Sequence, residues 1–454
     1  MTQQGERWTA DQVLALSPDA ASRKAGSRLA APGPWSGAGT GDGAVWGLCA
    51  GSGSKPYQTV IDTTGPGYKC SCPSRKFPCK HALALLLLWA GEGESGGEQA
   101  VRAGEPPEWA AGWIDQRRER ADRKEAAPAA GSDSGGAGPE AARRRSEQRA
   151  QRIAAGATEL EQRLADLVRG GLASADQAGY ALWDEAAARM VDAKAPGLAS
   201  RLRELGSVPS SGAGWPARLL EECALIHLLD QGFLGLDRLP EPLAATVRSR
   251  VGITMEAAEL LAAPDRTVRD DWLVLAQQDT QDGKLTTRRI WLRGRESGRI
   301  ALLLSFGAAG RAPELALPTG LSLDADLAYY PGARPLRAAL GQRHTAPAPG
   351  TQPPGVTLDA ALASYGEALR DDPWLDAWPV VLSDVIPIPG PDGWQLASEI
   401  ADAALPVDPR SLGRAGGLWQ LAAVSGGAPI TVFGECGHRG FMPLTTWAPE
   451  PVRL

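Results

Sequence analysis

Between residues 8 and 30 apolar positions recur at helical spacing in two short blocks, and Ser17-Pro18-Asp19 marks the start of the second. That triplet supplies a capping side chain, a proline at the first helical position and an acid near the positive end of the helix dipole. Gly33–Gly43 is glycine-rich and reads as a loop. Ala44–Cys49 and Tyr57–Ile61 then predict two strands of a hairpin, joined by the turn-forming Gly51-Ser-Gly-Ser-Lys-Pro56. The continuous apolar run Ala82–Ala90 predicts a helix opening at Lys80 or His81. It falls far short of the roughly 20 residues that span a bilayer.

Farther along, residues 91–150 lose this order. Gly- and Glu-rich stretches read as linker, with a short amphipathic helix predicted from Pro107. Glu140–Arg169 predicts a long helix whose apolar stripe is Leu160, Leu164 and Leu167, preceded by the charged segment Arg143–Arg152. Further helices are predicted near 174–194, 197–205 and 214–233. From about residue 270 the period shifts to that of strands: Asp271–Ala276, Thr287–Leu292, Arg299–Phe306, Trp378–Leu382, Leu418–Val424 and Pro429–Phe433, interrupted by one helix at Leu358–Arg370. The expected class is α+β and multidomain. It comprises N-terminal helices and a Gly-rich loop (1–43), a small hairpin and helix module (44–90), a linker with a charged helix (91–150), a helical region (151–235) and a β-rich C-terminal domain (236–454).

At 454 residues with 43% apolar composition, the chain is long enough for two or three cores. A net charge of −6 names no partner. The N-terminus MTQQGERWTADQ lacks the basic and apolar regions of a signal peptide, so the expectation is a cytosolic protein with reduced thiols.

Three of the six cysteines and one of the four histidines fall between Cys70 and His81, in YKCSCPSRKFPCKHA. Cys70 and Cys72 are two apart, so an extended segment points both to one side. Pro73 and Pro78 bracket a loop that returns the chain at Cys79, and His81 follows at the helix entry. Three thiolates and an imidazole make a complete tetrahedral zinc set. Lys69, Arg75, Lys76 and Lys80 surround it with positive charge, which favours thiolates. No Cys-x-x-Cys redox spacing is present.

The pattern Cys-x-Cys-x₆-Cys-x-His, with the phrase from Trp46 to Tyr57 before it, resembles the bacterial SWIM zinc finger proteins. The resemblance implies zinc as cofactor, with Cys70, Cys72, Cys79 and His81 as ligands. It also implies binding to proteins or to DNA, and no assigned catalytic activity. Bacterial members of the family often occur near genes for MoxR-type ATPases.

Other signals are weaker. Cys436-Gly-His438 repeats the Cys-x-His spacing but reads as a surface turn, with no second cysteine pair nearby. Cys49 and Cys223 read as small core residues, and His227 as a satisfied core histidine. His344 lies in a proline-rich loop. Asp270-Asp271 and Asp371-Asp372 read as solvated caps on loops, and no nucleophile–base constellation joins them. Residues 1–90 hold nine Lys or Arg against five Asp or Glu. Within that excess, Arg23, Lys24, Arg28, Arg75 and Lys76 are candidates for one phosphate-binding face. The expectation is a non-enzymatic protein that docks protein partners, with nucleic-acid binding through that basic face as the alternative.

Overall fold

The computed structural model describes residues 8, 10–17, 20–51, 55–63, 67–74, 78–91, 100–126, 139–283, 285–308, 313, 315–391, 393–398, 402–413 and 417–454. The capping residues Pro18 and Asp19 lie outside them, as do Arg75 and Lys76.

The N-terminal unit begins with helices α1 (Ala10–Ala15) and α2 (Ala20–Leu29). Strands β1 (Trp35–Gly41), β2 (Ala44–Cys49), β3 (Tyr57–Asp62) and β4 (Gly67–Cys70) follow, then α3 (Lys80–Gly91), β5 (Arg102–Ala103) and α4 (Glu108–Ala126). The strands form one sheet in the order β4-β3-β2-β1-β5. Strand alternation divides β2 between two cores. Val45 packs with α3, and its neighbour Trp46 faces the other way onto Ala110 and Ile114 of α4. Helix α3 is buried nearly all round, as its unbroken apolar run requires.

The expected loop at Gly33–Gly43 contains strand β1 instead. Its glycines serve close approach: a side chain at Gly39 would collide with the Trp46 indole of the neighbouring strand.

The middle of the chain is helical: α5 (Pro139–Gly170), α6 (Ala173–Asp192), α7 (Pro196–Leu205), α8 (Trp215–Leu234), α9 (Glu241–Val251) and α10 (Ala257–Leu261). Helices α5 to α9 pack on one another. Ile153, Ala157, Leu160 and Leu164 form the buried stripe of α5, spaced by three and four residues. Helical structure thus continues past residue 235, because Pro240 and Pro242 open α9 and Ala244, Val247 and Val251 bury its inner face.

Two antiparallel sheets make up the rest. The first comprises β6 (Thr267–Asp282), β7 (Leu285–Gly294), β8 (Ile300–Ala308), β9 (Leu321–Tyr329), β10 (Ala338–Arg343) and β11 (Ala348–Pro349), ordered β10-β9-β6-β7-β8 with β11 beside β9. Helix α11 (Leu358–Asp371) precedes the second sheet, and Thr357 caps it by accepting the Ala360 amide. That sheet has the order β14-β13-β12-β15-β16-β17. Its strands are β12 (Ala377–Gly390), β13 (Gly393–Ser398), β14 (Ala403–Pro406), β15 (Ile430–Gly437), β16 (Gly440–Trp447) and β17 (Pro451–Arg453). Leu418–Val424, expected as a strand, lies in helix α12 (Gly417–Ser425), where Leu418, Leu421 and Ser425 are buried at helical spacing. Leu273, Leu275 and Trp291 of the first sheet meet Val381, Phe433 and Trp447 of the second.

Several contacts join the helical units to the C-terminal sheets. The Trp374 indole N–H donates to the Leu225 carbonyl of α8 at 2.9 Å, and Arg250 pairs with Asp372 at 2.6 Å. The core beneath α3 continues into Ala316 and Leu321 of the first C-terminal sheet.

Candidate metal centre

Cys70 ends β4, where its register partner on β3 is Thr59. The Thr59 Oγ1 lies 3.2 Å from the Cys70 Sγ. Beyond β4 the chain stays tied to β3, as Ser71 exchanges bonds with Gln58 through its amide (3.0 Å) and its hydroxyl oxygen (2.9 Å). That anchoring places Cys72 beside Cys70. On the far side of the loop, Cys79 precedes α3, and its carbonyl accepts the Leu83 amide at 3.0 Å. His81 sits in the first turn of α3, buried, with its ring 4.9 Å from that of Tyr57.

The four donor atoms of Cys70, Cys72, Cys79 and His81 lie within 4.8 Å of one another. The His81 Nδ1 is 3.7 Å from the Cys70 sulfur and 4.0 Å from that of Cys79. A zinc ion with bonds of about 2.0–2.3 Å sets ligand-to-ligand edges of roughly 3.6–3.8 Å, so the cluster is near the size that a tetrahedral ion requires.

Its electrostatics agree. A backbone amide hydrogen bond favours each thiolate: from Cys72 to Cys70, from Ser74 to Cys72 and from Ala82 to Cys79. Hydrogen bonding from the Cys79 thiol, and then from His81 and Thr59, holds Cys70 down at about 4. The same contact with Cys70, followed by burial, pushes Cys79 up, and burial pushes Cys72 up. Three thiols this close resist ionising together unless a cation sits among them, and a divalent ion inverts that balance. The donor set therefore fits a metal held entirely by protein ligands.

Residues 60–90 match the SWIM zinc finger model, and that span contains all four donors. The module is a SWIM zinc finger. Residues 148–251, from within α5 to the end of α9, match the SWIM-associated four-helix bundle domain. No curated protein and no solved structure matches the chain.

Other singled-out residues are placed differently from one another. Cys49 is buried beside the finger, its thiol pushed up by burial and then by Cys70, and it stays outside the donor set. Cys223 is a core residue of the bundle. Cys436 is fully buried on β15, whereas His438 is exposed in the β15–β16 turn, so the pair does not converge on a site. The expected surface turn is therefore true of His438 alone.

His227 is exposed rather than in the core, with its Nδ1 2.6 Å from the Glu161 Oε2. His344 lies 3.0 Å from Asp326. Two of the four acids expected to be solvated, Asp270 and Asp372, are instead buried and structural. Asp270 is buried and accepts the amides of Asp271, Glu296 and Ser297, while Asp372 receives Arg250. Arg23, Lys24 and Arg28 are exposed on α2, which packs along α3.

The finger neighbours that sequence reasoning missed are Thr59 and Tyr57. Both are set by strand register and by the approach of β3 to α3, neither of which leaves a local signature. No helix among the described residues is long and apolar enough to cross a membrane.

Proposed function

We propose that this protein is a non-enzymatic interaction protein whose finger is held by one zinc ion on Cys70, Cys72, Cys79 and His81. The observation that carries this reading is the closed donor set. Four protein ligands leave no coordination position for a substrate, as in structural rather than catalytic zinc sites. SWIM fingers as a class serve as interaction modules. The zinc would fix the surface of the hairpin and α3, while the finger and the C-terminal sheets dock protein partners. The family resemblance points to a MoxR-type ATPase system as the partner.

Metal analysis of protein purified without chelator tests the zinc, with one equivalent per chain expected and none in a Cys70→Ala/Cys79→Ala variant. Absence of zinc would overturn the reading. Co-purification of the tagged protein from its host, with and without nuclease, tests the partner. A protein that persists after nuclease supports docking.

The exposure of Arg23, Lys24 and Arg28 beside the finger favours a second reading, phosphate contacts to nucleic acid. Such binding would weaken steeply with salt as counterions are released. An Arg23→Glu/Lys24→Glu/Arg75→Glu/Lys76→Glu variant should then lose retardation of DNA or RNA while keeping its zinc.

A further inference from the structure

Three side chains of β7, Arg289, Trp291 and Arg293, alternate onto the sheet face that meets the second sheet. Trp291 packs on Phe433 at a centroid distance of 6.3 Å. Arg289 is met across the gap by the buried Glu435, with its guanidinium at 3.3 and 2.6 Å from the two carboxylate oxygens. Arg293 is half-buried and has no such acid. Among the described residues, Asp270 acts on it through its charge, without a hydrogen bond or ion pair between them.

The nearest acids are already engaged. Asp270 is used by three backbone amides of the turn after β7, Asp271 faces Arg295 at 3.7 Å, and Asp324 holds Arg269 at 2.7 Å. Because Asp270 acts on Arg293 through its charge alone, the partly buried guanidinium keeps N–H groups without an acceptor, and an anion entering from outside can take them.

Arg293 opens into a cavity of about 450 Å³ between β7, β12 and α11. No aspartate or glutamate lines it, whereas Arg299 and Arg334 do. Arg299 lies with its guanidinium 3.9 Å over the Tyr329 ring and also donates a hydrogen bond to the Tyr329 hydroxyl, so it adds positive charge to the cavity wall. Arg334 is neutralised by Asp371 at 2.8 Å and Glu367 at 3.6 Å and contributes mainly N–H donors. The Ser364 Oγ accepts the Trp378 indole N–H at 2.9 Å, which leaves its own hydroxyl proton to donate. The remaining wall is apolar, including Ile300 and Val380. The volume lies within the range of small-molecule sites.

We propose that Arg293 anchors an anion site in this cavity, which takes a small organic phosphate or carboxylate with an apolar body.

The test uses the full chain with phenyl phosphate and benzoate as probes, against sodium chloride at equal ionic strength. Thermal unfolding of the wild type should show a saturable rise in midpoint with at least one probe, since a ligand that binds the folded state stabilises it. The probe that works identifies phosphate or carboxylate as the group recognised. In Arg293→Leu the rise should vanish while the chain stays folded without ligand, and Arg293→Lys should keep a reduced rise. Arg143→Leu, a change on the exposed part of α5, should leave it intact. The proposal is overturned if neither probe exceeds sodium chloride, if Arg293→Leu responds like wild type, or if Arg143→Leu loses the response.

Discussion

Arg289 and Glu435 join the two C-terminal sheets by a two-pronged ion pair with a closest approach of 2.6 Å, and the Glu435 side chain is only 9% exposed. Glu435 stands on a strand interior, where a lone carboxylate would lack solvation. Arg289→Ala should therefore destabilise the chain by about 3 kcal/mol, the lower end for a broken buried pair, because Arg289 itself is 32% exposed. An Arg289→Leu/Glu435→Leu double variant should regain most of that loss. Urea unfolding of the three proteins measures it, and a single variant as stable as wild type would mean that the pair contributes nothing.

Removing the metal should be felt beyond the finger. The core under α3 includes Ala316 and Leu321, so the finger is packed on the first C-terminal sheet rather than isolated by the segment that follows it. After chelation, deuterium uptake should rise within 57–91 and also in 315–322, while the interior of α8 stays protected by its own core. Unchanged uptake in 315–322 would show that the finger unfolds alone.

Asp230 of α8 is fully buried, and neither carboxyl oxygen has a donor apart from the neighbouring Glu161. Burial, reinforced by Glu161, pushes it up to about 8. A carboxyl raised in the folded state favours folding while protonated, so its contribution is intact below about pH 4 and is lost as pH rises toward 8. The slope is at most about 1.4 kcal/mol per pH unit. Asp230→Asn should accordingly gain stability over wild type progressively from pH 4 to pH 8, then level off. A difference that is flat with pH in paired denaturation curves would refute this.

Within the bundle, a methyl group at Gly197 would run into the Arg250 carbonyl where α7 crosses α9. Gly197→Ala should lower stability by several kcal/mol, as overpacking against backbone does at its worst (about 3 kcal/mol or more). By contrast, nothing lies within 4 Å of a side chain added at Gly366, inside α11. Gly366→Ala should therefore stabilise by about 0.5–1 kcal/mol through helix propensity. Equal thermal midpoints for the two variants would contradict the difference in packing.

The donor set was legible because its information is local. Two cysteines spaced for one side of a strand, a loop bracketed by prolines and a Cys-x-His at a helix entry all lie within twelve residues, Cys70 to His81. The long helices were legible for the same reason: Leu160 and Leu164 repeat at the period that buries them. Tertiary structure decided whatever depends on a partner distant in sequence. The glycines of Trp35–Gly41 become a strand because Trp46 fills the space above Gly39. The run at Leu418 becomes a helix because Leu418, Leu421 and Ser425 share a buried face, a spacing that a short apolar run cannot announce. His227 turns to solvent because α5 brings Glu161 to it from 66 positions away. Arg293 looked like any other strand arginine. Only the stacking of two sheets gave Arg289 its acid and left Arg293 facing a cavity without one.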